Sequence, residues 1–399
     1  MAKGGARRSR AAFGAAALVG VLLSGCTAPA APEPAPAPTV RESPPPVDPV
    51  VQYAADRLST MTLDEKIRSM LMLHLPGLDA PALGAIAAAE GVGGLILMGS
   101  NVPDPPEALA TLTPALIVED GLPLLLAIDQ EGGVVRRVPT DTAPSAIDLR
   151  SLDPSAARDA FATRSAMLAR LGVSVNFGIV ADVTGDPASF IFDRSMGATA
   201  AEAAPRVAAA VEGEHGTVLS TLKHFPGHGA APGDSHSGIP TTSMGLDEWR
   251  STQEEPFRAG IDAGAELVMM GHLQFDAIDP QPASLSATWV GILRDELGFD
   301  GVIITDDLGM LSDSGRADLA DPGSNAVRAV AAGTTMLLFV HPVDVAGIVA
   351  AIHAAVDDGR IDEALIDDAA RRLLELRRTL SGQTGRFVHC FEECQSIIE

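Results

Sequence analysis

A polar, glycine-rich stretch from Lys223 to Pro240 carries the residues best suited to chemistry. It reads K-H-F-P-G-H-G-A-A-P-G-D-S-H-S-G-I-P and lacks apolar periodicity, so its polar groups are not there to pack a core. Asp234 and His236 are two residues apart, and in an extended loop such side chains point the same way. The carboxylate can then accept a hydrogen bond from one imidazole nitrogen and leave the other to exchange a proton. On these two residues alone, a surface loop with incidental histidines is an equal alternative.

Further charged or imidazole side chains follow short apolar runs along the chain. They are Asp129, Asp182, Arg194, Lys223, His224, His272, Asp306 and Asp307. If the apolar runs are parallel strands of a barrel, these side chains converge on the mouth at the carboxyl ends of the strands, where active sites are built. Polar side chains after several consecutive strands are not expected from residues that only face solvent.

Asp306 is the predicted nucleophile. It ends the apolar run 301–305, and a carboxylate on a rigid strand suits attack on the anomeric carbon of a sugar. The alternative role is a helix N-cap, which Asp307 could fill better. A double-displacement glycosidase also needs a proton donor on the leaving-group side, usually a second carboxylic acid. Here the donor is predicted to be His236, charged by Asp234.

Eight units of apolar run and alanine-rich helical stretch predict an α/β fold, a single-domain (β/α)8 barrel. The runs are continuous rather than alternating, as expected of strands covered on both faces. The predicted strands are Met70–His74, Gly94–Met98, Leu122–Ile128, Ser174–Phe177, Val218–Leu222, Leu267–Met270, Gly301–Thr305 and Thr335–Phe339. The predicted helices between them are Ala80–Ala89, Pro106–Ile117, Ala156–Leu171, Ala200–Glu214, Ser251–Ala263, Ala287–Leu297, Ser324–Ala332 and Val343–Asp357. Before the first strand, Thr62-Leu63-Asp64-Glu65 has the pattern of a capping box at a helix start. An open doubly wound sheet is the alternative, but segment 127–133 lacks the G-x-G-x-x-G spacing of a dinucleotide-binding turn.

Three motifs give the chain a family resemblance. They are Lys223-His224-Phe225-Pro226-Gly227-His228-Gly229 followed by Asp234-Ser235-His236, then Ile304-Thr305-Asp306, and Asp129-Gln130-Glu131-Gly132-Gly133. Over about Val50 to Leu380 the chain resembles the single-domain β-N-acetylglucosaminidase branch of glycoside hydrolase family 3. It departs from the family pattern at 230–233, at 176–180 and at Val134, positions that bear on aglycone specificity rather than on the nucleophile.

The resemblance implies a retaining exo-β-N-acetylglucosaminidase that acts on cell-wall (peptidoglycan) fragments such as muropeptides. It implies Asp306 as nucleophile, His236 as acid/base and Asp234 as its dyad partner. The residues it places around the N-acetylglucosamine in the −1 subsite are Asp129, Arg137, Arg194, Lys223 and His224. Carboxylates can accept from sugar hydroxyls, and Arg and Lys supply charge-assisted donors.

Other functions remain open at this stage. A phosphorylase of the same fold would use phosphate in place of water, and a sugar-binding lipoprotein would use no catalysis. The second has little support from two Trp and one Tyr, since such proteins need aromatic stacking surfaces. A metal site at His224, His228, Asp234 and His236 is possible by ligand type, but catalysis uses the same groups, so no metal and no cofactor is expected.

The amino-terminal region indicates export and membrane anchoring. Residues 1–26 combine a basic start, a short apolar run and Leu23-Ser24-Gly25-Cys26, which looks like a lipoprotein signal peptide whose Cys26 is acylated. The predicted domains are therefore a signal peptide at 1–26, a disordered Pro/Ala-rich linker at 27–49, the barrel at 50–380 and a tail at 381–399.

Composition limits the classes of molecule that the protein can bind. The net charge of -24, from 52 acidic and 28 basic residues, argues against nucleic acid as a partner. Of three cysteines, Cys390 and Cys394 remain once Cys26 is lipidated, so no disulfide framework holds the fold. The predicted location is outside the cytoplasm, attached to the membrane by the lipid anchor only.

Overall fold

The computed structural model of the chain describes residues 48–119 and 121–381. Outside them lie Cys26 with the predicted signal peptide, nearly all of the 27–49 linker, residues 382–399 of the predicted tail, Cys390 and Cys394. The described part opens with helix α1, Pro49–Leu58, whose first turn is capped by the Asp48 side chain accepting from the backbone N–H of Val50.

Eight parallel strands form the central sheet. They are β1 Leu71–Leu73, β2 Gly94–Leu97, β3 Leu125–Ile128, β4 Val175–Val180, β5 Leu219–Phe225, β6 Leu267–Met270, β7 Val302–Thr305 and β8 Leu337–Phe339. The hydrogen-bonded order runs β7-β6-β5-β4-β3-β2-β1-β8. A parallel bridge between Ile304 and Met336 brings β7 and β8 together and completes the ring. The predicted (β/α)8 barrel is confirmed, and the open sheet is not formed.

The strands have no solvent face, which explains their continuous apolar sequences. Every residue of β2, β3 and β7 is buried, with one side facing the barrel interior and the other facing the surrounding helices. Burial of apolar area at about 25 cal/mol per Å² on both faces makes this sheet the main source of stability.

Helices follow the strands and cover the outside of the barrel. After α1 they are α2 Leu63–Ser69, α3 Ala80–Glu90, α4 Leu109–Leu112, α5 Ala146–Leu149, α6 Pro154–Arg170, α7 Ala200–Glu214, α8 Leu246–Thr252, α9 Glu254–Asp262, α10 Ala287–Gly291, α11 Leu308–Asp313, α12 Pro322–Ala331, α13 Val345–Asp357 and α14 Glu363–Leu380. Thr62 and Glu65 form the predicted capping box at the start of α2. Within the described residues, no helix combines the length and the apolar character needed to cross a bilayer.

Two helix predictions were wrong in their continuity. The stretch 106–117 is a 3-10 turn, the short α4 and a second 3-10 turn, because Pro114 interrupts the α-helical hydrogen bonding. The stretch 251–263 lies in two helices, α8 and α9, which meet at Gln253 with non-helical φ and ψ. The stretch 287–297 is continuously helical as predicted, with α10 followed directly by the π-helical segment Ile292–Glu296.

Strand β5 is longer than predicted and ends at Phe225 rather than Leu222. Its last part was missed because Lys223 and His224 break the apolar pattern. Both are nevertheless buried, at 2% and 6% exposure, because carboxylates inside the barrel mouth compensate their polar groups. The longer strand carries these two side chains directly into the mouth.

An aromatic cluster outside the barrel fixes the end of β5. The Phe225 ring packs edge-to-face against Trp249, Phe257 and Trp289, with centroid distances of 5.9, 5.2 and 5.8 Å. Such pairs each contribute about 0.5–1.5 kcal/mol beyond the area that they bury. The Trp249 indole N–H also donates to the backbone carbonyl of Pro226 at 2.7 Å. The chain therefore leaves β5 along a fixed path before the loop that holds Asp234 and His236 begins.

Candidate active site

The predicted site residues meet at the carboxyl end of the barrel. Asp129 follows β3 directly, and Asp306 follows β7 directly. Lys223 and His224 lie in the last part of β5, between those two positions in the sheet order. Parallel strands bring their carboxyl ends to one rim, so side chains that are far apart in sequence share one mouth.

Lys223 joins two carboxylates of the turn after strand β3. Its Nζ lies 2.9 Å from Oδ1 of Asp129 and 2.7 Å from Oε1 of Glu131. Arg137 reaches the other oxygen of Asp129 at 3.2 Å. Arg194 binds both oxygens of Glu131, with Nε at 2.9 Å and Nη2 at 2.7 Å. The arrangement holds three cationic side chains in fixed positions inside the mouth.

Glu131 belongs to one of the sequence motifs, but sequence reasoning assigned it no role. The structure makes it the bidentate partner of Arg194 and the second partner of Lys223. Its position two residues after Asp129 is the signal that could have revealed it, since residues at i and i+2 of an extended segment share a face.

Attraction between these charges overcomes the cost of burying them. Burial raises the pKa of Asp129, but Lys223 and Arg137 outweigh it and hold that pKa at about 2. Burial also opposes ionisation of Glu131, whose pKa the adjacent Arg194 and Lys223 nevertheless keep below its usual range. All of these groups are therefore charged at neutral pH, and the donors are oriented before a substrate arrives.

His224 is neutral and has a defined tautomer. Burial, with Arg194 beside it, keeps the pKa of His224 well below its usual value. Its Nδ1–H donates to Oδ2 of Asp182 at 2.7 Å, and its Nε2 lies 3.3 Å from Nη2 of Arg194. Because a guanidinium can only donate, Nε2 is the acceptor in that contact. Asp182 thus orients His224, which in turn helps to orient Arg194.

The neighbouring residue Asp307 takes the helix-capping role, so Asp306 is not needed for it. Asp307 is the N-cap of α11, and its Oδ1 accepts from the backbone N–H groups of Gly309 and Val340 at 2.9 and 3.0 Å. The capping role considered for Asp306 therefore belongs to Asp307. Asp306 is half-buried at the mouth and accepts from the backbone N–H of Asp307 at 2.8 Å.

The surroundings of Asp306 favour its ionised form. Burial raises its pKa, but His272, the hydrogen bond from the backbone N–H of Asp307 and the Lys223 cation more than compensate, so the pKa lies below its usual value. His272 is itself fully buried and fixed, with Nε2 2.8 Å from the backbone carbonyl of Asp307 and Nδ1 2.7 Å from the hydroxyl of Ser284. An ionised carboxylate held on a strand end can attack an electrophilic carbon.

Asp234 and His236 form the hydrogen bond that their spacing predicts. Oδ1 of Asp234 accepts from Nδ1 of His236 at 2.7 Å and from its backbone N–H at 2.9 Å. Burial raises the pKa of Asp234, but these two bonds outweigh it and lower the pKa overall. With Nδ1 engaged, Nε2 is the ring nitrogen left without a hydrogen bond among the described residues. The side chain of His236 is 63% exposed, so the pair lies at the open side of the mouth.

His228 attaches the loop to the barrel. Its backbone N–H donates to Oδ1 of Asp182 at 2.6 Å, and its Nε2 lies 3.1 Å from the hydroxyl of Ser235, between the two members of the Asp234–His236 pair. Asp182 therefore binds both His224 in the strand and His228 in the loop. Throughout residues 48–119 and 121–381, no group of three or more His, Cys, Asp or Glu side chains is placed to hold a metal ion.

Comparison with known proteins shows what the chain is similar to. The family model of the glycosyl hydrolase family 3 N-terminal domain matches residues 62–376. The beta-hexosaminidase of Idiomarina loihiensis is 33% identical over 327 residues, which cover 78% of this chain and 97% of that protein. The beta-hexosaminidase LpqI of Mycobacterium tuberculosis is 32% identical over 330 residues, covering 78% of this chain and 82% of that protein.

The fold has a similar solved structure, that of a glycoside hydrolase family 3 beta-N-acetylglucosaminidase from Paenibacillus sp. str. FPU-7. The TM-score is 0.74 at 32% sequence identity, and the match covers 85% of this chain and 68% of that one. The likeness thus extends over most of this chain.

Proposed function

The chain belongs to glycosyl hydrolase family 3, and we propose that it is a retaining exo-β-N-acetylglucosaminidase. The observation that supports the proposal is the combination of a strand-end carboxylate, Asp306, whose pKa lies below its usual value, with a hydrogen-bonded carboxylate–imidazole pair, Asp234–His236, on the loop after β5. Retaining glycosidases need these two functions, a nucleophile and a proton donor. The activities by which the relatives are named, beta-hexosaminidase and beta-N-acetylglucosaminidase, support the same reaction.

The first half of the reaction forms a glycosyl-enzyme. A carboxylate oxygen of Asp306 attacks the anomeric carbon while the bond from that carbon to the glycosidic oxygen breaks. Nε2–H of His236 gives its proton to the departing oxygen, and Asp234 stabilises the imidazole in its orientation.

The second half releases the sugar. His236, now the base, takes a proton from water, and the water oxygen attacks the anomeric carbon as its bond to Asp306 breaks. Two inversions restore the original anomeric configuration. The imidazole and the carboxylate both return to their starting protonation states.

The charged cluster serves as the −1 subsite. Asp129 can accept hydrogen bonds from sugar hydroxyls, and Lys223, Arg137 and Arg194 can donate to sugar oxygens, with His224 contributing from the same side. Because the cluster is already ordered by its internal ion pairs, substrate binding requires little rearrangement and holds the anomeric carbon over Asp306. Muropeptides of the cell wall are the proposed natural substrates.

The nucleophile is tested with an aryl N-acetylglucosaminide. Asp306→Ala should lower kcat by more than about a thousandfold, since no other group can form the covalent bond. A fluorinated N-acetylglucosaminide that forms the intermediate but turns over slowly should add one sugar mass to the peptide containing Asp306. Asp313→Ala, an exposed aspartate at the end of α11, is the matched control and should stay close to wild type.

Contrary results are equally clear. Near-normal turnover by Asp306→Ala, or labelling of another residue, rules out the proposed nucleophile. Inverted product configuration by NMR rules out retention. Release of sugar 1-phosphate in phosphate buffer would assign the phosphorylase reaction instead.

The proposed location is the outer side of the membrane, with acyl chains at Cys26 as the anchor. Cys26→Ala should move the enzyme from the membrane fraction to the soluble extracellular fraction. Cys390→Ala is the matched control and should leave the distribution unchanged. A Cys26→Ala protein that stays with the membrane contradicts lipid anchoring.

A further inference from the structure

Phe190 is an exposed aromatic side chain at the mouth of the barrel. It lies on the segment between β4 and α7 and is 36% exposed. A single exposed apolar residue is ordinary in a soluble protein and needs no explanation. The neighbours of this ring are what distinguish it.

Three groups of the proposed active site contact the Phe190 ring. The His236 ring lies edge-on, with a centroid distance of 5.5 Å and an interplanar angle of 65°. The His228 ring is at 5.5 Å and tilted by 48°. The guanidinium carbon of Arg194 lies 5.2 Å from the ring centroid. One aromatic ring thus connects the proposed proton donor with the −1 subsite.

His236 needs such a connection. Within the described part of the chain, the hydrogen bonds of its imidazole go to Asp234, two residues earlier on the same loop. That bond fixes the imidazole relative to its own loop and not relative to the barrel. His228 and Ser235 attach the loop backbone to the barrel, but within the described residues neither hydrogen-bonds to the exposed imidazole of His236. The Phe190 ring contacts that imidazole from outside the loop.

We propose that Phe190 is a positioning residue for the proton donor, holding the His236 imidazole where Nε2 faces the glycosidic oxygen. This inference rests on the proposed glycosidase function. An aromatic ring suits the task because its face attracts cations and its edges and faces pack against imidazole, whichever protonation state His236 adopts during the cycle. Arg194, bound to Glu131 on both oxygens, keeps the ring itself in place.

Leaving-group dependence separates positioning of the proton donor from general damage. Phe190→Ala and Phe190→Leu are compared with wild type on phenyl and 2,4-dinitrophenyl N-acetylglucosaminides, whose leaving groups differ in their need for a proton. We expect kcat/KM to fall about tenfold on the phenyl substrate and less than about twofold on the dinitrophenyl substrate. Phe190→Tyr keeps the ring and should restore the wild-type ratio.

A double-variant cycle makes the test stricter. In a His236→Ala background, Phe190→Ala should cause no further loss on the phenyl substrate, because the group that it positions is gone. Phe192→Ala is the matched control. Its ring lies two residues away beneath Arg150, at 4.2 Å, so the ratio of the two rates should stay at the wild-type value.

Each other outcome overturns a defined part of the inference. Equal losses on both substrates, or losses that add to those of His236→Ala, show that Phe190 acts through folding or aglycone contact and not through His236. If His236→Ala itself lowers both rates equally, the proposed proton donor is wrong and both proposals fail together. Phe190→Leu keeps an apolar side chain without the aromatic ring, so the comparison can still be made if Phe190→Ala does not fold.

Discussion

Lys223 is the residue on which the electrostatics of the mouth depend most. Its ammonium group lies within 2.9 Å of Asp129 and within 2.7 Å of Glu131, and its side chain is only 3% exposed. Burial lowers the pKa of Lys223, but the two carboxylates raise it overall. Removing this cation leaves two buried carboxylates with one partner fewer each.

Lys223→Met should therefore destabilise the fold as well as the site. We expect the free energy of unfolding to fall by about 3 kcal/mol, because a buried charge has lost its partner, and turnover to fall to near background. Lys66→Met is the matched control, since Lys66 also joins two carboxylates, Glu363 and Asp367, but these are 53% and 43% exposed. It should cost less than about 1 kcal/mol. Equal losses in urea titrations of the two variants would contradict the argument.

At this scale the sequence predicted residue types better than residue partners. Asp129, Lys223, His224 and Asp306 could be found because they interrupt or end apolar runs. Glu131 and Asp182 received no role, since their importance comes from ion pairs across different strands. Phe190 gave no signal, because nothing in its local sequence shows that its ring meets His236.

The loop after β5 carries the proposed proton donor, and at Gly229 it packs closely against the segment that follows β4. A Cβ at Gly229 would overlap the backbone carbonyl oxygen of Val183, in the segment that follows β4. The loop backbone can approach this segment only because residue 229 has no side chain. The same approach places His228 next to Asp182.

Gly229→Ala should push the loop away from the barrel. We expect kcat/KM on the phenyl substrate to drop about a hundredfold, since a displacement of about 1 Å of the reacting groups has that effect, with a measurable fall in thermal stability. Gly238→Ala is the matched control, because a Cβ at that position would have no atom within 4 Å, and it should behave as wild type. A fully active Gly229→Ala enzyme would show that the loop position is not critical.

Helices and strands could be predicted where the burial pattern and the conformational preference of the local sequence agree. The strands were found because both of their faces are buried, and the capping box at Thr62 was found from its own four residues. The divided helices were not, because Pro114 and Gln253 sit inside stretches whose apolar pattern continues across the break. The extension of β5 was missed because its final residues are polar, and only the carboxylates opposite explain their burial.

Across the whole molecule, one buried acid links the outer helices to the mouth. Glu214 ends α7 and is fully buried, and its Oε1 accepts from Nδ2 of Asn176 at 2.6 Å. Asn176 in β4 also pairs with both backbone groups of Gln130, between Asp129 and Glu131. Burial raises the pKa of Glu214 to about 8. The helix C-terminus also disfavours a negative charge at this position.

This acid makes global stability depend on pH. The unfolded chain loses the proton near pH ~4.3 and the folded protein near pH 8, so unfolding releases a proton in between and stability falls as pH rises across that window. Glu214→Gln has no such proton. Its free energy of unfolding relative to wild type should rise by roughly 2–5 kcal/mol between pH 4.5 and pH 8.5.

Chemical unfolding at several pH values measures this difference. Glu212→Gln, an exposed glutamate on the same helix, is the matched control and should follow wild type at every pH. A Glu214→Gln curve parallel to wild type would show that Glu214 is ionised in the folded protein.

The two proposed catalytic partners are carried by unlike supports, Asp306 by a strand of the barrel and His236 by a surface loop. Capture of the sugar and departure of the aglycone can therefore vary independently. Insertions or substitutions near residues 230–233 can change which aglycones are released, and how fast, while the proposed −1 subsite stays the same. Directed evolution toward new acceptors has its natural starting point there.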